Sequence, residues 1–311
     1  MATLRTVTRA LVPIALLALL GSAVPSPATA ASTRPPAAAA GTRAEPLRIL
    51  LTNDDGYGFP FVQRLRQALI AAGHDVTIVA PATDSSGIGT AFNAKFGTTV
   101  KAREESPGVW SVTGSPSDAV SFGLQAVYGD TPPDLVVSGP NPGQNVAAVA
   151  NHSGTVGATI MAIEKGVPAI AFSTAVDLTT TPPSFPSLNE SIAFAVKMIG
   201  HLRKTAHGGE LLPPRTSLNV NYPLKPNGRV SLARLGTSSF VSPKYVPAPD
   251  VCAECFRILP VLSTAPDPVR DSDHNLLNAG HVTVTPLDGS WEVRDPAVTA
   301  GLRFRLLSLT P

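Results

Sequence analysis

After residue 46 the hydrophobic and polar positions of this chain follow two alternating periods, and each switch marks a change of element. Residues 47–52 read as a buried strand, with the apolar run Ile49-Leu50-Leu51 of the kind a strand covered on both faces requires. Residues 59–72 carry apolar side chains at 61, 62, 65, 68 and 69 with Arg and Gln between them, a helical period closed by Gly73. Residues 76–80 are a second β-branched run, ended by Pro81 and followed by a polar loop over 82–93. Further strands are expected at 110–113, 135–138 and 168–173, with helices over 115–128 and 153–165. The first of those helices opens on Ser115-Pro116-Ser117-Asp118, a capping-box pattern that gives Asp118 a structural role. Asp134, just ahead of a strand, is read the same way, and His74 is read as a surface residue at a helix end. This alternation predicts an α/β fold with a Rossmann-like, doubly wound, mostly parallel sheet.

The pattern loosens after residue 174. Residues 179–186 form a Thr/Pro linker and 188–203 an amphipathic helix. Beyond it, strand candidates at 217–221, 230–235, 281–285 and 302–308 are separated by proline-rich connections. Residues 47–205 are therefore read as the catalytic core. Residues 206–311 are read as a C-terminal β-rich arm and tail packing on it, more suited to oligomerisation than to catalysis.

The other end of the chain has a different character. Residues 1–30 read as a secretory signal, with Arg5 and Arg9 in a positive n-region, an apolar stretch over 10–24, and a small-x-small cleavage site ending at Ala30. The stretch is too short and too interrupted to span a bilayer, so a secreted protein without a stable membrane anchor is expected. Residues 31–46 form an Ala/Pro-rich leader, leaving about 265 residues, enough for one large domain. Lys and Arg total 24 against 22 Asp and Glu, with no basic block. Neither a nucleic-acid polymer nor a membrane surface has electrostatic support as a partner. The two cysteines, Cys252 and Cys255, are too few for a four-ligand zinc site. Outside the cytosol a local disulfide is expected ahead of free thiols, and a thioredoxin-like role lacks the βα junction it needs.

Candidate chemistry is concentrated where the first strand stops. Ile49-Leu50-Leu51-Thr52-Asn53-Asp54-Asp55-Gly56 ends in two adjacent carboxylates and a glycine. In a doubly wound sheet, ligands bind beyond the carboxyl ends of the strands. Side-by-side acids repel each other there and a hard divalent cation offsets that repulsion; a helix cap followed by a turn is the competing structural reading. Four loops, 53–58, 82–89, 139–145 and 151–155, can meet at one crevice. Two carboxylates with a Ser hydroxyl and an Asn carbonyl make an oxygen shell suited to Mg²⁺, Mn²⁺ or Ca²⁺ rather than zinc. Ser153-Gly154-Thr155 opens a helix whose free N–H groups can receive a phosphate. A cation beside such a helix end points to phosphoryl hydrolysis. His152 has two readings, a donor to phosphate or leaving group and a neutral packing residue.

Five segments taken together resemble the SurE stationary-phase survival proteins, a family of metal-dependent 5′-nucleotidases. They are ILLTNDDG at 49–56, IVAPATDSSG at 78–87, GSPSDAV at 114–120, DLVVSGPNPGQN at 134–145 and HSGTVGATIMAIEKGVPAIAFS at 152–173, with weaker echoes in SLNVNYP at 217–223 and GHVTVTPL at 280–287. The resemblance spans about residues 47–290. It implies a SurE-like fold and one divalent ion per subunit, Mg²⁺ or Mn²⁺ with Ca²⁺ also compatible, held by Asp54, Asp55, Ser86 and Asn141. Ser85 is a competing match for the serine ligand, and alignment through Gly87 favours Ser86. Phosphate contacts are implied at Asn145, Ser153, Gly154 and Thr155. Asp54 is implied as the acid nearest the attacking water, and the proton transfer is open between Asp54 and Asp55. The resemblance also implies a homodimer or homotetramer formed through the C-terminal arm.

Departures from the family pattern alter the pocket wall rather than the implied metal shell. Ser85 stands where an Arg is usual, Tyr57-Gly58-Phe59-Pro60 replaces an alanine-containing segment, and His152 stands in place of a tyrosine. The expected activity is hydrolysis of nucleoside 5′-monophosphates to nucleoside and phosphate, with broader acid-phosphatase or polyphosphatase action allowed by the altered wall. An exported protein that binds metal and nucleotide without turnover is the alternative. A dinucleotide-dependent enzyme lacks the G-x-G-x-x-G that should follow the first strand.

Overall fold

The computed structural model describes residues 45–307 apart from 207 and 294. The signal at 1–30 and the leader at 31–46, save Glu45 and Pro46, lie outside those residues.

β1 (Arg48–Thr52) illustrates why the chain folds as it does. Ile49 and Leu51 face one hydrophobic layer and Leu50 the other, and all three are fully buried. A strand covered on both faces needs such an unbroken run. α1 (Pro60–Ala71) starts on proline and buries Val62, Leu65 and Leu69, three positions of its predicted stripe. β2 (Asp75–Pro81), β3 (Ala102–Ser106) and β4 (Val109–Val112) follow. α2 (Pro116–Phe122) begins with the predicted capping box, and a single π turn extends it through Val127. β5 (Leu135–Pro142) leads through a 3₁₀ turn (Ala147–His152) into α3 (Gly154–Glu164) and β6 (Ala169–Thr174). Next come α4 (Leu188–Thr205), β7 (Ser217–Tyr222), β8 (Val230–Leu232) and a hairpin of β9 (Val241–Pro247) and β10 (Phe256–Leu262). α5 (Asp273–Asn278), β11 (Val282–Leu287) and α6 (Pro296–Leu306) end the described chain.

One sheet holds the strands in the order β3-β4-β2-β1-β5-β6-β7-β11-β8, and β9 pairs with β10 outside it. β4, β2, β1, β5, β6 and β7 run parallel. The direction reverses at both margins, where β3 pairs antiparallel with β4 and β11 antiparallel with β7. α1 and α4 cover one face and α2 and α3 the other. The sequence is thus organised as a Rossmann-like, doubly wound sheet with helices on both sides. β7, β8 and β11 lie beyond residue 205 yet belong to the same sheet as β1.

Two expectations are corrected. The strand candidate at 302–308 is helical as far as it is described, because Asp295 caps α6 and Pro296 starts it. Leu302, Phe304 and Leu306 alternate with Arg303 and Arg305, but the whole helix is exposed and no sheet edge selects that period. His74 is buried rather than superficial, and its Nδ1 accepts the Leu47 N–H at 3.3 Å. Asp134 accepts the Arg48 N–H at 2.7 Å, a structural use. Cys252 and Cys255 are disulfide-bonded in the connection between β9 and β10. No helix among the described residues is long and apolar enough to cross a membrane.

Candidate active site

β1 lies between β2 and β5, so its carboxyl end delivers Asn53, Asp54 and Asp55 to the middle of one sheet edge. The Asn53 amide donates to the Gly56 carbonyl at 3.0 Å, bracing the turn that leads into α1. The Ser85 N–H donates to the Asp54 carbonyl at 2.7 Å, tying the loop after β2 to the acid pair. α3 approaches from the opposite side, capped by Ser153, whose Oγ accepts the Val156 N–H. Thr155 Oγ1 donates to Asp54 Oδ1 at 2.6 Å and lies 3.1 Å from Asn141 Oδ1. The Asn141 amide nitrogen is engaged with the Gly143 carbonyl, which fixes its own oxygen towards that hydroxyl. Asp54, Asn141 and Thr155, from three separate segments, therefore share one polar node.

Two glycines make the approach possible. A Cβ on Gly154 would lie 2.8 Å from Asp54 Cβ and 3.0 Å from Asp54 Oδ2, so the helix start rests directly on the acid. Gly139 has φ +109, and a Cβ there would meet the Phe172 carbonyl oxygen at 2.2 Å. The β5–β6 register shifts between Ser138 and Asn141, just where Asn141 turns to the crevice.

The acids are held in unfavourable surroundings. Burial raises the Asp54 pKa, although the Thr155 hydroxyl and backbone oppose the rise. Asp55 is pushed up to about 7, first by burial and then by the negative charges of Asp54 and Asp84. Its Oδ2 is buried without a hydrogen-bond partner. Among the described residues no group of three or more His, Cys, Asp or Glu is arranged to hold a metal ion. A cation at this site would be held by the two acids supplemented by neutral oxygens, and the orphaned Asp55 oxygen fits that arrangement.

The other anticipated residues are distributed as follows. Ser86 is exposed, and its Oγ and N–H both bond Asp84 Oδ1, at 2.7 and 2.8 Å, with no hydrogen bond to the acid pair. Ser85 Oγ turns back to the Thr83 carbonyl. Asn145 is buried and its amide donates to Ser173 Oγ at 3.0 Å, one strand away from the node. His152 is exposed, and its carbonyl accepts the Gly89 N–H, which fastens the loop after β2 to the start of α3. Asp84 was not anticipated. It reads as a turn acid, and its charge reaches Asp54 and Asp55 only through the folded loop. A groove of about 320 Å³ runs along α3, lined among others by Val156, Ile160, Leu235 and Trp291. Neither acid lines it.

Comparison with known proteins identifies the family. The family model described as "Survival protein SurE" matches residues 49–242. A protein named 5′-nucleotidase SurE from Solidesulfovibrio magneticus is 36% identical over 264 residues, covering 84% of this chain and 98% of that one. One of the same name from Methanopyrus kandleri is 33% identical over 251 residues, covering 78% and 91%. The crystal structure of the SurE protein from Aquifex aeolicus aligns with a TM-score of 0.66 at 26% identity, covering 83% of this chain and 98% of that one. The node of Asp54, Asn141 and Thr155 is thus built within the segment the family model matches, and the chain belongs to the SurE family.

Proposed function

We propose that this chain is a divalent-metal-dependent phosphomonoesterase that hydrolyses nucleoside 5′-monophosphates to nucleoside and phosphate. The observation that carries the reading is the convergence of Asn141 and Thr155 on Asp54, beside an Asp55 oxygen that is buried and unpartnered. The names of the relatives from S. magneticus and M. kandleri support the same reaction and substrate class.

Asp54, Asp55, Asn141 and Ser86 would hold one Mg²⁺ or Mn²⁺. When bound, that ion supplies Lewis-acid polarisation of the phosphoryl group and lowers the pKa of water. Asp54 is oriented by Thr155 and by the α3 N-terminus, where partial positive charge favours an anion. The attacking water gives its proton to one acid of the pair, Asp54 or Asp55. The P–O ester bond breaks as the water oxygen bonds to phosphorus, and the nucleoside leaves as its hydroxyl after protonation. Ser153, Gly154 and Thr155 at the helix start, with Asn145 behind them, form the phosphate end. The reading extends to secretion, argued from residues 1–30, and to a homodimer or homotetramer. Support for the oligomer comes from the hairpin, where Tyr245, Phe256, Ile258 and Leu262 are exposed.

Phosphate release from a panel of nucleoside monophosphates, with Mn²⁺ or Mg²⁺ and then with EDTA, tests the proposal. Release that needs metal and is lost in Asp54→Asn supports it. A folded protein that binds Mn²⁺ and releases no phosphate from any substrate overturns it in favour of a metal- and nucleotide-binding protein without turnover.

A further inference from the structure

The carboxylate of Asp273, at the start of α5, is fully buried. Its Oδ1 accepts the N–H groups of His274 at 2.9 Å, Gly236 at 3.0 Å and Ala147 at 3.1 Å, and its Oδ2 lies 3.2 Å from the Ala147 nitrogen. Burying an anion without a cation is costly, and no ion pair to Asp273 is formed among the described residues. The charged and titratable groups around it are otherwise engaged. Asp267 accepts N–H groups from Thr237, Ser238 and Val269. The His274 ring meets Asn278 and Phe240, and Arg234 pairs with Asp271 at the surface. The anion is therefore stabilised by backbone N–H groups from three segments.

Ala147 is the informative partner. Its φ of +50 is a left-handed conformation that residues other than glycine rarely adopt. It also opens the 3₁₀ turn that runs into the N-cap Ser153. Two residues earlier, the Asn145 N–H donates to Asn221 Oδ1 at 2.7 Å, and its carbonyl accepts from the amides of Asn219 at 2.7 Å and Asn221 at 3.2 Å. The Ala148 N–H bonds the Ser238 carbonyl. Segment 145–148 is thus strung between β7, the 236–238 turn and α5, all of them later in the chain than the core motifs.

We propose that Asp273 is a positioning residue whose carboxylate holds the left-handed turn at Ala147, and through it Asn145 and the α3 N-cap, in register with Asp54. Its effect on turnover rests on the phosphatase reading, whereas its effect on the turn rests on these hydrogen bonds alone. Asp273 touches neither acid of the pair, so metal affinity is independent of it.

Hydrogen exchange on the full chain tests the assignment directly. In Asp273→Asn an amide nitrogen replaces one acceptor oxygen among the three N–H donors. Segment 145–153 is then expected to exchange about tenfold faster or more while 48–55 is unchanged. KM for AMP is expected to rise about tenfold with the Kd for Mn²⁺ within about twofold of the parent. Burial pushes the Asp273 carboxyl up to about 6, so the parent chain offers a second measurement that needs no substitution. The closed turn binds the extra proton between the ordinary 3.8 and about 6, so, corrected for intrinsic rates, exchange at 145–153 should be slower at pH 5 than at pH 7.5, and Asp273→Asn should abolish that difference. Unchanged exchange at 145–153 in the variant overturns the assignment, as does unchanged exchange in the parent at pH 5 if the variant does not fold. Loosening that spreads equally to 48–55 and weakens Mn²⁺ binding overturns it too, since that is a general structural role. Absence of phosphate release from the parent would sink the phosphatase reading and leave the exchange result standing.

Discussion

The crevice at the end of β1 and the β9–β10 hairpin depart from the usual distribution of residues in opposite directions. At the crevice, polar groups are buried: Asp54 is 3% exposed and Thr155 not at all. In the hairpin, apolar groups face solvent, with Ile258 65% and Phe256 60% exposed. Both departures are informative, because buried charge and exposed apolar surface are what a self-sufficient chain avoids. The first fits the metal centre proposed above and the second the proposed subunit contact. They differ in cost as well. The crevice carries desolvation within the folded chain itself, whereas the hairpin leaves the core untouched.

That contrast can be broken first at the acids. Asp55→Asn is expected to lower metal-dependent phosphate release by roughly a thousandfold, while the metal-free variant melts above the parent at pH 8 because a desolvated anion has gone. Calorimetry and a phosphate assay read the two opposed effects; a variant that melts lower would break the argument from desolvation. Gly154→Ala comes next. Its Cβ must displace Asp54, and a shift of that kind is expected to cost about a hundredfold in kcat/KM. Parent-like activity would mean that α3 yields without moving the acid.

The pH dependence sharpens the same point. Asp55 has its proton bound up to about 7 in the folded chain, against 3.8 as the ordinary value. Between those limits the folded state binds the extra proton, so metal-free stability falls as pH rises from about 4 to about 7 and levels off above. A cation competes with that proton, so the Kd for Mn²⁺ should fall about tenfold per pH unit up to about 7 and then flatten. Titration calorimetry across pH 5.5–8.5 checks it, and a flat profile would remove Asp55 from the shell. The smallest effect on folding belongs to the hairpin. Ile258→Glu is expected to change folding stability by no more than about 0.5 kcal/mol, yet to shift the mass measured by light scattering towards the monomer. An unchanged mass would take the hairpin out of the subunit contact.

The crevice was far more legible in the sequence than the hairpin, and the reasons are physical. β1, β5 and β6 are apolar on both faces, and α1 has a clear stripe, so the pattern alone specifies their partners. β3, with the sequence AREES, and β10, with FRILPVL interrupted by Pro260, have no buried face to impose a period of two. Neither reads as a strand. At the site, Asp54 and Asp55 stand out because they interrupt a buried strand at its end. Asp84 and Asp273 do not, because each also satisfies a local rule, one as a turn acid and the other as the first residue of a short helix. What distinguishes them arises only in three dimensions: Asp273 meets Ala147 across 126 positions and Asn221 meets Asn145 across 76. No pattern of period two or 3.6 extends that far.

The reversal of strand direction between β7 and β11 has a consequence for biosynthesis. Because β11 runs against β7, its starting end, with α5 just before it, lies at the same edge of the sheet as Asp54. A nascent chain that has emerged only through β7 carries every residue proposed above to hold metal and phosphate, but the latch from α5 is still missing. During vectorial synthesis the catalytic motifs are made first and fastened last. A chain cut short before Asp273 would retain the chemical groups with their phosphate end unlatched.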